Sequence, residues 1–175
     1  MSGKIVGLVI LISGLIAGGA LYYLQVYGFY EEVSAEVEEV RLMPLDGGAP
    51  VRILAENITA IDAESSPIRF RACFTTPSSL AMLTETYTGA DRAIPRNAPE
   101  WFECFDAAAI AEALKAGTAL AFVGEKNVDF GVDRIVAITE DGRGYAWHQM
   151  NICGEKVFDG DPPPDSCPPP PERTE

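Results

Sequence analysis

The residues from which catalytic sites are commonly built are scarce in this sequence. Its 175 residues include one histidine, His148, and contain no C-x-x-C, H-x-x-x-H, G-x-S-x-G or G-x-x-x-x-G-K-[ST] pattern. These absences argue against a zinc site, an α/β-type serine hydrolase and a nucleotide-binding enzyme. The histidine falls in a predicted strand, "YAWHQM", where a structural or exposed role is more common than general-base catalysis. We therefore expect a non-enzymatic protein with no catalytic, cofactor-binding or metal-binding residues.

Positive charge is also scarce, with 13 basic residues against 26 acidic ones and a net charge of −13. A surface of that sign repels nucleic acid and anionic lipid headgroups, so we expect no nucleic-acid binding. It would suit a basic periplasmic protein as a partner. A soluble, well-hydrated surface explains the same composition without any partner.

Charge is missing altogether from Ile5 to Tyr30, a run of 26 residues. A helix of that length measures roughly 39 Å, more than the hydrocarbon core of about 30 Å, so it can span a lipid bilayer. Lys4 precedes the run and all 26 acidic residues follow it. The positive-inside rule then predicts an inner-membrane protein with a cytoplasmic N-terminus and a periplasmic domain.

The apolar run is either a cleaved signal peptide or a retained anchor. Small residues at Ala17, Gly19 and Ala20 leave cleavage open. The run nevertheless continues for ten residues past them into an aromatic cluster suited to the membrane interface. We predict an uncleaved signal anchor. Its predicted interface aromatics are Tyr22, Tyr23, Tyr27 and Tyr30.

One stripe of this helix carries small residues and a polar amide. Spacings of four and three residues place the stripe on one face. Small residues let two helices approach closely, and a glutamine amide favours a hydrogen-bond partner at that depth. We predict a packing face for another transmembrane helix, in a homodimer or a larger complex, although glycine is common in membrane helices anyway. The face comprises Gly7, Leu11, Gly14, Gly18, Leu21 and Gln25.

All four cysteines lie beyond the apolar run, on the predicted periplasmic side. An even number in an oxidising compartment indicates two disulfides, for which three connectivities are possible. We predict the pairs Cys73–Cys104 and Cys153–Cys167. The second pair would fasten the tail to the domain.

Local patterns predict an α+β domain with an antiparallel sheet. "PIRFRACFTT" alternates like a strand, with Ile68, Phe70, Ala72 and Phe74 on one face, and "TALAFVG" reads as a buried strand. "RIVAIT" and "YAWHQM" flank glycine-rich turn residues and predict a hairpin. Short extended segments are expected in 36–45 and 49–61, and a short helix in 78–87.

The clearest predicted helix is "FDAAAIAEALKAG", with Asp106 as the N-cap and Gly117 after its end. The tail is rich in proline and excludes helix and central strand. We therefore predict three parts of the chain. They are a cytoplasmic stub with the transmembrane signal anchor (1–30), a periplasmic domain (31–160) and a proline-rich tail (161–175).

Several segments together carry a resemblance: "YYLQVYGFYEEV", "SSPIRFRACFTT", "NAPEWFECFDAAAI" and "DRIVAITEDGRGYAWHQMNICGE". On these the chain resembles an uncharacterised family of short single-pass membrane proteins from Rhodobacter-like alphaproteobacteria. The resemblance implies no established activity. Some members carry a histidine kinase label. That label does not suit a chain whose one histidine lies in a predicted periplasmic strand and which has no nucleotide-binding motif.

The expected function is therefore that of a non-enzymatic single-pass protein with a periplasmic domain. We expect an accessory, assembly or stabilising subunit of a larger membrane complex, for example a respiratory one. Its partners would be the lipid bilayer and other transmembrane helices. The alternative is a periplasmic ligand- or cytochrome-binding and sensing module.

Overall fold

A six-stranded antiparallel sheet follows the apolar helix almost directly in the chain. The computed structural model describes residues 3–33 and 39–170. The helices are α1 Gly3–Tyr23, α2 Leu80–Thr86, α3 Ala107–Ala116 and α4 Ile152–Asp159, and α1 continues into a π-helical turn, Leu24–Gly28. The strands are β1 Glu31–Val33, β2 Arg41–Leu42, β3 Val51–Arg52, β4 Glu56–Asp62, β5 Arg71–Thr75, β6 Ala119–Asp129, β7 Val132–Thr139 and β8 Arg143–Met150.

The order of the main sheet is β1-β4-β5-β8-β7-β6, with all neighbours antiparallel, and β2 pairs with β3 separately. The predicted hairpin is confirmed as β7 and β8. Its turn contains Gly142 at φ 82°, a left-handed conformation that glycine adopts without strain. The predicted α+β class is therefore confirmed.

Both faces of the sheet are covered, because alternate residues of the central strands enter two separate cores. The first core contains Leu42, Phe70, Phe74, Leu83, Phe122 and Ile138, and the second contains Cys73, Phe105, Ile110, Ile135, Ala137 and Trp147. The strand predicted at 67–76 is shorter in the structure and begins at Arg71. Residues 66–69 form a turn instead, in which the Arg69 N–H donates to the Ser66 carbonyl, so Ile68 lies outside the strand.

Helix caps follow the predicted signals. The Asp106 carboxylate accepts hydrogen bonds from the N–H groups of Ala108 and Ala109, and Gly117 ends α3 in a left-handed conformation. Ser79 caps α2 in the same way. Helix α4 was not predicted from the sequence, because a glycine in its first turn weakens the helical signal. Gly154 is required there, since a Cβ would lie 2.4 Å from the Gly131 carbonyl oxygen.

Both predicted disulfides are confirmed, Cys73–Cys104 and Cys153–Cys167. The extended segments expected in 36–45 and 49–61 correspond to β2, β3 and β4, although 36–38 lie outside the described residues. Strand β1 was not predicted, because three residues are too few to show a period. Residues 161–170 form neither helix nor strand, as expected of the tail, and 171–175 lie outside the described residues.

Candidate interaction site

The apolar helix exposes most of its length to its surroundings. Together α1 and the π-helical turn form a helix of 26 residues that is long and apolar enough to cross a membrane. Within it, an apolar stretch of 18 residues has no residue buried in the chain. A soluble domain would cover such a surface, since large contiguous apolar patches are rare on monomers. The helix is therefore a candidate membrane span, and its sides are available to lipid or to another helix.

The glycines of the predicted packing face are open along this helix. A Cβ built on Gly7, Gly14 or Gly18 meets no atom within 4 Å, so their small surface is not used by the chain itself. Gly19 lies next to the face and is equally open. Packing of another helix against this face stays a prediction.

Trp101 joins the outer domain to the end of the helix. Its indole Nε1–H donates to the Val26 carbonyl oxygen at 2.7 Å. Carbonyls in the last turn of a helix lack intrahelical partners, and this bond satisfies one of them. The Trp101 ring also stacks on Tyr27, with 6.5 Å between centroids, and meets Tyr30 edge-on at 6.1 Å. Two of the predicted interface aromatics thus contact the domain, whereas Tyr22 and Tyr23 are exposed.

Trp101 lies on residues 97–104, which we name the membrane-proximal loop. Strand β5 holds the loop at both ends. Cys73 binds Cys104 through the disulfide, and the Arg71 guanidinium donates to the carbonyls of Arg96 and Asn97 at 2.8 and 3.2 Å. Because Arg71 and Cys73 are two residues apart on one strand, their side chains project from the same face. The loop is fixed to the sheet before it reaches the helix.

Arg71 is 3% exposed and is a structural cation. It also donates to the carbonyls of Ile68 and Phe70, at 2.9 and 2.6 Å, so four backbone oxygens surround it. Burial lowers its pKa to about 10, which leaves the guanidinium charged at neutral pH. Arg69 lies over the Tyr30 ring, 5.6 Å from its centroid, and adds a cation–π contact at the same junction.

Two grooves flank the membrane-proximal loop. One of about 290 Å³ lies between the helix end and residues 97–100, and is lined by Tyr22, Gln25, Val26 and Tyr30. Gln25, which the sequence assigned to the helix-packing face, therefore lies beside the chain's own loop. The other groove measures about 570 Å³ and lies between β1, β4 and the far side of the loop. Glu32, Glu103 and Cys104 are among its lining residues.

His148 is buried in β8 and both ring nitrogens are occupied. Nδ1 lies 2.7 Å from the Pro67 carbonyl, which can only accept, so Nδ1 carries the proton. Nε2 accepts from Arg134 Nε at 3.0 Å, and the ring stacks on Phe70 at 4.7 Å. Burial, followed by the charge of Arg134, lowers the His148 pKa to about 4. The imidazole is neutral at pH 7, and both ring nitrogens bond to groups of the chain itself.

The sequence predicts a loop in 93–100 and a strand that contains Arg71, but it did not predict the contacts that Trp101 and Arg71 make. The available signal was the stretch "NAPEWFECF", in which three aromatic residues and a cysteine follow a loop rich in proline and asparagine. Aromatic side chains in such a loop need an apolar surface to cover them. In this fold the end of the apolar helix provides it.

A family model matches residues 40–168, which include both disulfides. No curated protein and no solved structure matches the chain. The chain belongs to a family of unknown function, DUF6446.

Proposed function

We propose that this protein is a non-enzymatic, single-pass accessory subunit that assembles or stabilises a larger membrane complex. The observation that carries the proposal is the hydrogen bond from Trp101 to Val26, with the aromatic contacts around it. This junction ties the domain to the helix end. A partner that binds the helix therefore positions the domain as well, and a partner that binds the domain positions the helix.

The proposed location is the inner membrane, with the domain in the periplasm. Two disulfides support an oxidising compartment, because intracellular thiols are normally kept reduced. The charge pattern supports the orientation, since Lys4 precedes the helix and the acidic residues follow it.

The test uses full-length tagged protein, expressed natively and purified in a gentle detergent, with mass spectrometry of everything that co-purifies. Gly18→Leu would block close approach at the packing face, whereas Gly19→Leu makes the same change beside it. Both glycines have open space around them, so neither substitution disturbs the chain itself. We expect membrane partners to be lost with Gly18→Leu and retained with Gly19→Leu. Equal recovery of partners from both variants would contradict the proposal.

A second candidate function is a periplasmic module that binds a ligand or a basic protein such as a cytochrome. The groove of about 570 Å³ favours it, because Glu32 and Glu103 place carboxylates beside an aromatic surface. Binding to a basic protein should weaken as salt rises. It should also weaken in Glu32→Gln with Glu103→Gln, but not in Glu140→Gln, because Glu140 does not line the groove. Salt-independent binding, or no binding, would exclude this function.

A further inference from the structure

We propose that a second surface of the outer domain rests on the lipid bilayer, beside the point where the helix leaves it. This resting surface consists of Ile94, Ile152 and Phe158. The inference depends on the proposed membrane anchoring of α1 and adds a lipid contact at a separate place. It names zwitterionic lipid as the occupant.

Sheet topology places this surface at the end of the sheet nearest the helix. The chain passes from the helix into β1, and Glu31 at the start of β1 pairs with Asp62 at the end of β4. Because neighbouring strands are antiparallel, the same end holds the start of β5 and the end of β8. Helix α4 begins two residues after β8 ends. At about 4.8 Å per strand, β8 lies roughly 15 Å from β1, so the surface lies beside the helix exit.

Hydrogen bonds hold the segment around Ile94 at this same end. The Gln149 side chain, near the end of β8, donates to the Arg92 carbonyl at 2.9 Å and accepts from the Ile94 N–H at 3.0 Å. Arg92 then pairs with Glu155 of α4 at 2.6 Å. Ile152, Glu155 and Phe158 are three residues apart in turn and share one side of α4. The ion pair thus links the helix that carries Ile152 and Phe158 to the segment that carries Ile94.

The same segment continues into the membrane-proximal loop, which reaches down the side of the helix. Residues 97–100 line the smaller groove together with Tyr22 and Gln25. Tyr22 lies more than one helical turn before Tyr30, within the predicted interface region. This part of the domain therefore already lies at the depth of the lipid headgroups.

The three side chains are apolar and exposed. Ile94 is 49% exposed, Ile152 52% and Phe158 68%. Two ion pairs lie beside them, Arg92 with Glu155 and Lys156 with Asp161, and Asp159 directly follows Phe158. The two ion pairs reduce the net charge that a bilayer would meet, and apolar side chains gain by entering its interface. A zwitterionic lipid surface fits this combination better than an anionic one, because the domain as a whole is acidic.

The opposite end of the sheet supplies a matched control. Leu54 is 60% exposed, and its carbonyl accepts from the Thr76 hydroxyl just beyond the end of β5. It is as apolar and as accessible as Phe158, but lies at the end away from the helix. Exposure alone predicts the same behaviour at both positions. The proposal predicts different behaviour.

The experiment places p-benzoylphenylalanine at position 158, 152 or 54 of the full-length protein in vesicles of phosphatidylcholine and phosphatidylethanolamine. Flotation and protease protection first establish whether the helix has inserted. After illumination, intact-mass spectrometry measures lipid adducts. We expect at least five-fold more lipid adduct from positions 158 and 152 than from position 54.

Equal lipid adducts at all three positions, or crosslinks from position 158 only to a second copy of the chain, would overturn the inference while leaving the proposed function standing. A chain that does not float with the vesicles would overturn both the resting surface and the anchor. The accessory-subunit proposal has its own test in native membranes, with the Gly18 and Gly19 variants, so the two failures are distinguishable.

Discussion

The two disulfides of this domain have the same chemistry but connect different segments of the chain. Cys73–Cys104 joins the middle of β5 to the loop that carries Trp101, and Cys153–Cys167 joins α4 to the proline-rich tail. The first lies on the path from the sheet to the helix end, through Trp101 and Val26. For the second, no described hydrogen bond, ion pair or ring contact joins α4 or residues 161–170 directly to the helix. A crosslink's role thus depends on what its segment touches, since both should stabilise the fold by similar amounts.

Removing each disulfide as a pair of serines breaks this comparison most directly. The closed loops span 31 and 14 residues, so the chain-entropy account predicts losses of about 4 and about 3 kcal/mol in the free energy of unfolding. Only Cys73→Ser with Cys104→Ser should also speed hydrogen exchange in the membrane-proximal loop and in residues 24–30. Urea unfolding and exchange mass spectrometry of the full chain in detergent measure the two effects. The same exchange pattern in both variants would remove the distinction.

His148 tests strand β8, which carries no disulfide cysteine. Its pKa is lowered from 6.5 to about 4, mainly by burial, so the unfolded chain binds a proton more readily between these values. Stability should therefore fall as pH drops from about 6.5 to about 4, by roughly 3 kcal/mol at most. Asp62 opposes this in part, because burial raises its pKa. Since the chain has one histidine, its NMR titration is unambiguous. A midpoint near 6.5 would show that the ring is not buried as described.

Loss of the Arg71 side chain tests the attachment at the start of the membrane-proximal loop, whereas the Cys73–Cys104 disulfide holds its end. Arg71→Met leaves the carbonyls of Arg96 and Asn97 without their donor, and should lower the free energy of unfolding by about 2 to 3 kcal/mol. Arg143→Met is the control, because that arginine is exposed and pairs only at the surface. Thermal melting of both variants measures the difference. Equal melting temperatures would mean that Arg71 does not fix the loop.

The smallest expected effect comes from Trp101→Phe, which keeps an aromatic ring but removes the N–H that binds Val26. One hydrogen bond is worth about 1 kcal/mol, so exchange at residues 24–30 should rise roughly five-fold. Trp101→Ala also removes the stacking on Tyr27 and should raise it further. Unchanged exchange in both variants would show that Trp101 does not hold the helix end.

Local patterns carried enough information to predict α3, the hairpin of β7 and β8, and the apolar helix. Caps, turn glycines and periodicity lie within a few residues of the elements they define, so they can be read from sequence. The junction could not be predicted in this way. It depends on contacts between residues distant in the chain, Arg71 with 96–97 and Val26 with Trp101, which exist only once the sheet has formed. Helix α4 was missed for a similar reason. Its Gly154 is needed because the backbone of Gly131 packs closely against it, and the sequence does not show that contact.

The measurement that tests the account most directly is the intact mass of the natively expressed protein, purified in a gentle detergent with whatever accompanies it. The account predicts a chain that retains α1, together with membrane subunits in fixed proportion. A chain that begins near Ala20, alone and monomeric, would contradict it. Most of α1 would then be a signal peptide that is removed, and the contact between Trp101 and Val26 would not link the domain to a membrane.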